Sequence, residues 1–447
     1  MFGVAQIVYY ATCVAWAAIF YQVYLKEFFA TTLGFGRIVQ SIDEFPYTCR
    51  RVEHPRLEAC EDIWLDNEAR TLYAACAGTK GRLAWSQAVG KLNVTGRRPG
   101  GSELIALDID YPGHDNLFNM RAIKPVGYTG ATGDGTLDLL GFDAQILDGD
   151  TIQFYFVNQR PPIGPFNNVI DASKIGANST IEVFEMRRSE DQMRHLRTIW
   201  SPDQVHTPNR VAALGDGAFL VTNDHSVRSG WRILLDPIIG GGNVAYCDGN
   251  GQCHDAFSRD EKMANLAPSA PHNQAKFNTW MSAYLAKIEH LMPKLKLKFP
   301  NGLARGFDGL FYLPSTVDGQ IRVLALKDDK TLQQIDTIRV GMPLDNVSPD
   351  AKGDLYVPGF PNLQSVKGFG DPYGQPAPAT IWRIRKTVDA NADGVRSVDY
   401  RIEKVIEDKD SKVIAGATTV RHDARTGRLF IAAAVYPFLV VCEPHSS

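Results

Sequence analysis

Five oxygen-bearing side chains occupy comparable places in a chain of 447 residues: Glu61, Asn209, Asn301, Asp345 and Asn346. None offers sulfur or imidazole. Carboxylates and amide carbonyls are hard ligands. Five of them, with one Glu and one Asp to balance a divalent charge, suit a single central Ca²⁺ whose shell is completed by water or a ligand. The pair Asp345-Asn346 lies in PLDNVSPDAKGDLYVPGFPN, where the bland reading is a turn, because both side chains cap backbone well. The pattern recurs along the chain, and that favours the ligand reading.

Each of the five opens or precedes a short apolar strand. The unit, a polar residue followed by an apolar run, a Gly or Asp and a second apolar run, appears as CEDIWLDNEARTLYAACAG from Cys60 and LLGFDAQILDGDTIQFYFVNQ from Leu139. It returns as PNRVAALGDGAFLVTNDH from Pro208, PNGLARGFDGLFYLPSTVDGQIRVLAL from Pro300, the stretch around Asp345, and TTVRHDARTGRLFIAAAVYPFLVVC from Thr418. Asn301 and Asn346 fall one unit apart, near the ~40–45-residue period of a four-stranded blade. Six units predict an all-β chain folded as a six-bladed β-propeller, whose inner strands run along the axis and gather their first residues at one end. A β-sandwich would leave the repetition unexplained. The propeller is expected over residues 45–447. A helical insertion is expected at about 256–296, where Trp280, Tyr284, Ile288 and Leu291 share one stripe.

The formal net charge of −3 excludes the basic face that nucleic-acid binding demands. Residues 1–25 carry no charged side chain before Lys26, about the length that spans a bilayer as a helix. They are read as an uncleaved signal-anchor, with 26–44 as a linker; a cleaved signal and a secreted chain is the alternative. Of seven cysteines, Cys13 lies in that segment and six remain. Cys247 and Cys253 flank the turn-rich DGNGQ; the partners of Cys60 and Cys76 stay open. Asn93 and Asn178 head glycosylation triplets. These features favour the lumen of the secretory pathway, membrane-anchored.

At the polar positions the chain resembles the serum paraoxonase/arylesterase family, calcium-dependent six-bladed propellers that hydrolyse lactones and esters. The resemblance rests on Glu61-Asp62, Asn209 with Thr-Asn-Asp-His ending at His225, Pro-Asn-Gly at Asn301, and Asp345-Asn346. It implies a disulfide between Cys49 and Cys442 joining the chain's two ends. Two departures stand out. The family's catalytic histidines fall at Leu140 and Gln159, and a third pocket histidine falls at Phe360, so the usual general base is missing. The family's second, structural calcium would use Asp62 and a carboxylate at a position held here by Arg210.

Gly-x-Ser-x-Gly, phosphate-loop and His-Glu-x-x-His motifs are absent. A calcium site without a histidine base, beneath pocket candidates Leu140, Gln159, His225 and Phe360, implies chemistry by proximity and polarisation. The expected function is therefore a non-hydrolytic cyclisation of a small apolar metabolite, like that of paraoxonase-like hetero-Diels–Alderases of fungal natural-product pathways. A calcium-dependent lactonase or arylesterase is the runner-up, and a non-catalytic binding propeller the third reading.

Overall fold

The computed structural model describes residues 3–445 apart from 22–24, 27, 131–132, 165, 167, 259–296 and 391–395. Its body is all-β and propeller-like. Hairpins start from local chemistry: Asp66, Asp308, Asp350 and Asp423 each turn a side-chain oxygen onto the backbone N–H two residues ahead, at 3.1, 3.1, 2.8 and 3.2 Å. Such Asx turns close a strand pair without a partner from elsewhere. The apolar runs on either side then pair antiparallel, as in Cys60–Asp66 with Thr71–Cys76 and Leu355–Gly359 with Ser348–Pro349.

Among the described residues there are four separate four-stranded sheets, one eight-stranded sheet and one two-stranded ribbon. Six separate four-stranded sheets were expected; the difference has a plain cause. The strands Arg121–Val126 and Gln192–Ile199 pair in parallel through Lys124, Pro125 and Val126, joining two four-stranded groups edge to edge. Apolar side chains fill the spaces between successive groups in six large clusters. One, for example, packs Phe142, Phe154, Phe156 and Phe184 against Tyr73 and Leu104.

The chain closes on itself. Tyr47–Glu53 pairs with Phe438–Pro444 in the sheet that also holds Ala417–His422 and Leu429–Ala433, with Cys49 opposite Cys442. These two cysteines are bridged, as are Cys60 with Cys76 and Cys247 with Cys253. Cys13 is free and exposed. Three disulfides are the mark of a chain that folds outside the cell or in the secretory pathway.

In the N-terminal segment Val4–Phe20 is helical, and residues 22–24 lie outside the described ones. No helix among the described residues is long and apolar enough to cross a membrane. The 26–44 stretch is no loose tether: Thr32 Oγ1 donates to the Val317 carbonyl at 2.9 Å, and Arg37 Nη2 donates to that of Gly341 at 2.7 Å. The predicted helical insertion lies outside the described residues, except that Ala256 and Phe257 end the strand Cys253–Phe257.

Candidate functional site

In the inner hairpins, the first strand begins beside the place where the second ends. The facing pairs are Cys60–Cys76, Leu139–Asn158, Pro208–Asn223, Pro300–Ser315 and Leu344–Gly359. The residue after each first partner and the residue after each second partner therefore emerge at one end of the axis. That rule places Glu61, Leu140, Asn209, Asn301 and Asp345 together with Ala77, Gln159, Asp224, Thr316 and Phe360.

Contacts join Glu61 and the Asn301 segment through Asn346. Asn346 Nδ2 donates to Glu61 Oε1 at 2.8 Å and to Thr419 Oγ1 at 2.9 Å. Thr418 and Thr419 hydroxyls hold the Glu61 carbonyl at 2.8 and 2.9 Å. Gly302 is required where it stands, because a Cβ there would lie 2.0 Å from Asn346 Oδ1. That close approach brings Asn301 beside Asn346.

All five side chains are buried, and each keeps one oxygen without any hydrogen-bond partner: Glu61 Oε2, Asn209 Oδ1, Asn301 Oδ1, Asp345 Oδ1 and Asn346 Oδ1. Buried acceptors are normally satisfied, at a cost of about 1–3 kcal/mol each when they are not. Oxygens of amides and carboxylates are the donor chemistry that suits a hard cation. The electrostatics agree. Burial and the neighbouring Asp62 push the Glu61 carboxyl up to about 7, against the Asn346 hydrogen bond and the charges of Arg82 and Arg210. Burial, Glu61 and Asp62 likewise raise Asp345 well above the usual carboxylate range.

The amide orientations are built in by residues that the sequence reading did not single out. Asn209 Nδ2 points to Asp224 Oδ2 at 3.5 Å, Asn301 Nδ2 donates to Thr316 Oγ1 at 2.7 Å, and Asn346 Nδ2 is taken by Glu61 and Thr419. Each contact occupies an NH₂ group and leaves that residue's Oδ1 without a partner. Asp224 Oδ1 is a sixth buried oxygen without a partner. The only available sequence signal was position: Asp224 and Thr316 are the residues just past an inner hairpin.

The pocket candidates are placed less openly than expected. Gln159 is buried and committed: its Oε1 accepts the Gln87 N–H at 3.0 Å and its carbonyl accepts Trp85 Nε1 at 2.6 Å. Leu140 packs with Tyr155, Val157 and Val211 inside an apolar cluster. Phe360 is buried edge-on against Phe369, ring centres 5.4 Å apart. His225 is buried, with Nε2 3.2 Å from the Ala88 carbonyl and Nδ1 3.4 Å from Asp236 Oδ2. Burial alone would lower its pKa, but Asp224 and Asp236 leave it raised. The imidazole thus links two loops.

A groove of about 930 Å³ lies at the same end, between the loops that follow Thr71–Cys76, Thr151–Asn158 and Ala218–Asn223. Leu92, Val94, Ile170, Trp231 and Leu234 line it, and none of the four pocket candidates does. Asn93 sits on its rim and is exposed. Asn178 is half-buried, its Oδ1 accepting Trp200 Nε1 at 3.1 Å.

No known family model matches the chain. The chain is similar to serum paraoxonase/arylesterase 1 of Rattus norvegicus, 24% identical over 268 residues, 58% of this chain and 60% of that protein. It is also similar to serum paraoxonase/arylesterase 2 of the same organism, 23% identical over 293 residues, 62% and 64% of the two chains. The matches thus span less than two thirds of these relatives. Among solved structures, a luciferin-regenerating enzyme aligns with TM-score 0.45 and 10% identity over 89% of this chain and 95% of its own. A virginiamycin B lyase from Staphylococcus aureus aligns with TM-score 0.39 and 9% identity over 89% and 99%.

Proposed function

We propose that this paraoxonase-like propeller is a calcium-dependent enzyme that acts on a small apolar molecule through one of its oxygen atoms. The observation that carries the reading is the set of five buried, unpartnered oxygens on Glu61, Asn209, Asn301, Asp345 and Asn346. In this reading the eight-stranded sheet counts as two blades joined at their edges, giving six around the axis. Calcium held there would supply a Lewis acid for a carbonyl-type oxygen.

The chain's own residues set what else is available. Gln159 and Leu140, where a histidine base is expected by resemblance, are tied into the Gln87 loop and an apolar cluster, and neither can take a proton near neutral pH. His225 has both ring nitrogens beside loop acceptors. The groove beside Trp231 and Leu234 supplies an open, largely apolar surface at the same end. A reaction that needs orientation and polarisation but no proton transfer fits these parts. A cyclisation of the hetero-Diels–Alder type, between a quinone-methide-like partner and an alkene, is such a reaction. In this proposal the N-terminal segment holds the enzyme at a membrane surface in the secretory pathway.

The similarity to the two serum paraoxonases favours a second reading, hydrolysis of lactones or aryl esters. One assay separates the two. The protein is offered a panel of lactones and aryl esters, and separately an ortho-quinone methide with a terpene alkene, each with and without EGTA. Lacking a histidine base, it should hydrolyse the panel about 10²–10⁴-fold more slowly than a histidine-based enzyme, while calcium-dependent adduct forms. Fast, calcium-dependent lactone hydrolysis without adduct would overturn the cyclisation and establish the second reading.

A further inference from the structure

One residue further along the same strands, the arrangement is different. Asp62 follows Glu61 and Arg210 follows Asn209, and both are fully buried, at 0% and 2% exposure. Arg210 Nε lies 2.9 Å from Asp62 Oδ2. The contact is one of charges, since the Nε hydrogen has no acceptor in line. Arg210 Nη1 donates to the Val347 carbonyl at 2.7 Å, the residue after Asn346. Both oxygens of Asp62 are engaged: Oδ1 accepts from the Ile63 N–H at 2.9 Å, with the Thr419 hydroxyl shared between it (3.2 Å) and the Glu61 carbonyl, and Oδ2 accepts from the Phe142 N–H at 3.0 Å. The layer above leaves five oxygens open; here Asp62 has none left over.

We infer that the Arg210 guanidinium is a built-in cation. It stands beside Asp62 where the resemblance assigns a second, structural ion, and it ties the strand of Asn209 both to that of Glu61 and to the segment after Asn346. A divalent ion cannot share this position: its carboxylate is already satisfied and a fixed positive charge lies against it. The chain therefore carries no ion at Asp62, and its axis stays assembled when calcium is stripped from the ring above. The count of one ion in the native protein rests on the proposed function. The contrast between native protein and variant does not.

Calcium bound per chain is measured by equilibrium dialysis against calcium chloride for the native protein, Arg210→Ser and Arg210→Lys. Arg210→Ser, which removes the fixed charge beside Asp62, should bind one equivalent more than the native protein, and Arg210→Lys should bind no more. Equal counts for native and folded Arg210→Ser overturn the inference. A native count of zero with one in Arg210→Ser upholds it and removes calcium from the ring. If Arg210→Ser does not fold even in calcium, the native protein in EGTA decides. A retained cooperative thermal transition supports the built-in cation, and loss of the fold on chelation overturns it.

Discussion

Two buried glutamates, Glu61 and Glu182, sit in this protein under opposite conditions. Glu182 accepts from Thr180 Oγ1 at 2.6 Å, Thr198 Oγ1 at 2.5 Å and Asn158 Nδ2 at 3.3 Å, and lies 3.0 Å from His195 Nε2. Burial would raise its pKa, yet these hydrogen bonds, that of His195 foremost, hold it below the usual value. Glu61 is just as buried but has one amide donor and an oxygen with nothing opposite, and its pKa rises to about 7. A polar cluster that exists for the fold completes its own hydrogen bonds. One that leaves acceptors open over several strands is shaped for something the chain does not itself provide.

The largest effect that could break this contrast is on metal binding. Asp345→Ala removes one of only two charged ligands and should weaken calcium binding by more than about 100-fold, beyond the 10–100-fold typical of outer-layer changes. Glu182→Gln should leave calcium binding unchanged. Dialysis of the two variants side by side would sink the contrast if they lost calcium alike.

A sharper test moves one layer out. Thr316→Val keeps the shape but removes the acceptor that turns the Asn301 amide. It should cost about 10–100-fold in calcium affinity with little change in fold, because outer-layer partners orient ligands rather than bind. Unchanged affinity would show that Thr316 has no positioning role.

Smaller, and opposite in sign, are the stability effects without metal. In EGTA at pH 7.5, Glu182→Gln should destabilise by about 1–3 kcal/mol, the cost of disrupting satisfied, charge-assisted hydrogen bonds. Glu61→Gln should stabilise, since burial and the neighbouring Asp62 make the ionised Glu61 costly. The pH dependence follows. The Glu61 pKa is raised from 4.5 to about 7 in the ion-free fold. Its contribution is therefore fully present below pH 4.5 and is lost as pH rises through about 7. The melting temperature of chelated protein should fall across that window, and Glu61→Gln should flatten the fall. Parallel profiles for the two proteins would contradict it.

The same contrast explains what was legible in the sequence. The apolar runs and Asx turns announce the hairpins, because a hairpin is local chemistry. The candidate oxygen residues stood out because they recur at the start of equivalent strands. Edge pairing of Lys124, Pro125 and Val126 with a strand some seventy positions later carries no local signature, and it merged two expected sheets into one. Gln159 and His225 closely follow the second strands of inner hairpins. Their commitments to Gln87, Ala88 and Asp236 depend on loops that no periodicity describes. Thr316 and Asp224 looked like ordinary turn residues, since an outer-layer acceptor is defined only by what it touches. The charge at Arg210 was visible in sequence, and so was its pairing with Asp62, because Arg210 stands where the resemblance expects a carboxylate beside Asp62; the 2.9 Å contact bears that out.

Calorimetric titration of calcium chloride into the EGTA-stripped, dialysed native protein, with Asp345→Asn as control, tests the central claim most directly. Saturable binding at one equivalent per chain, lost in the control, is the predicted result. No saturable binding, or the same isotherm in Asp345→Asn, would mean that the five open oxygens do not form a calcium site.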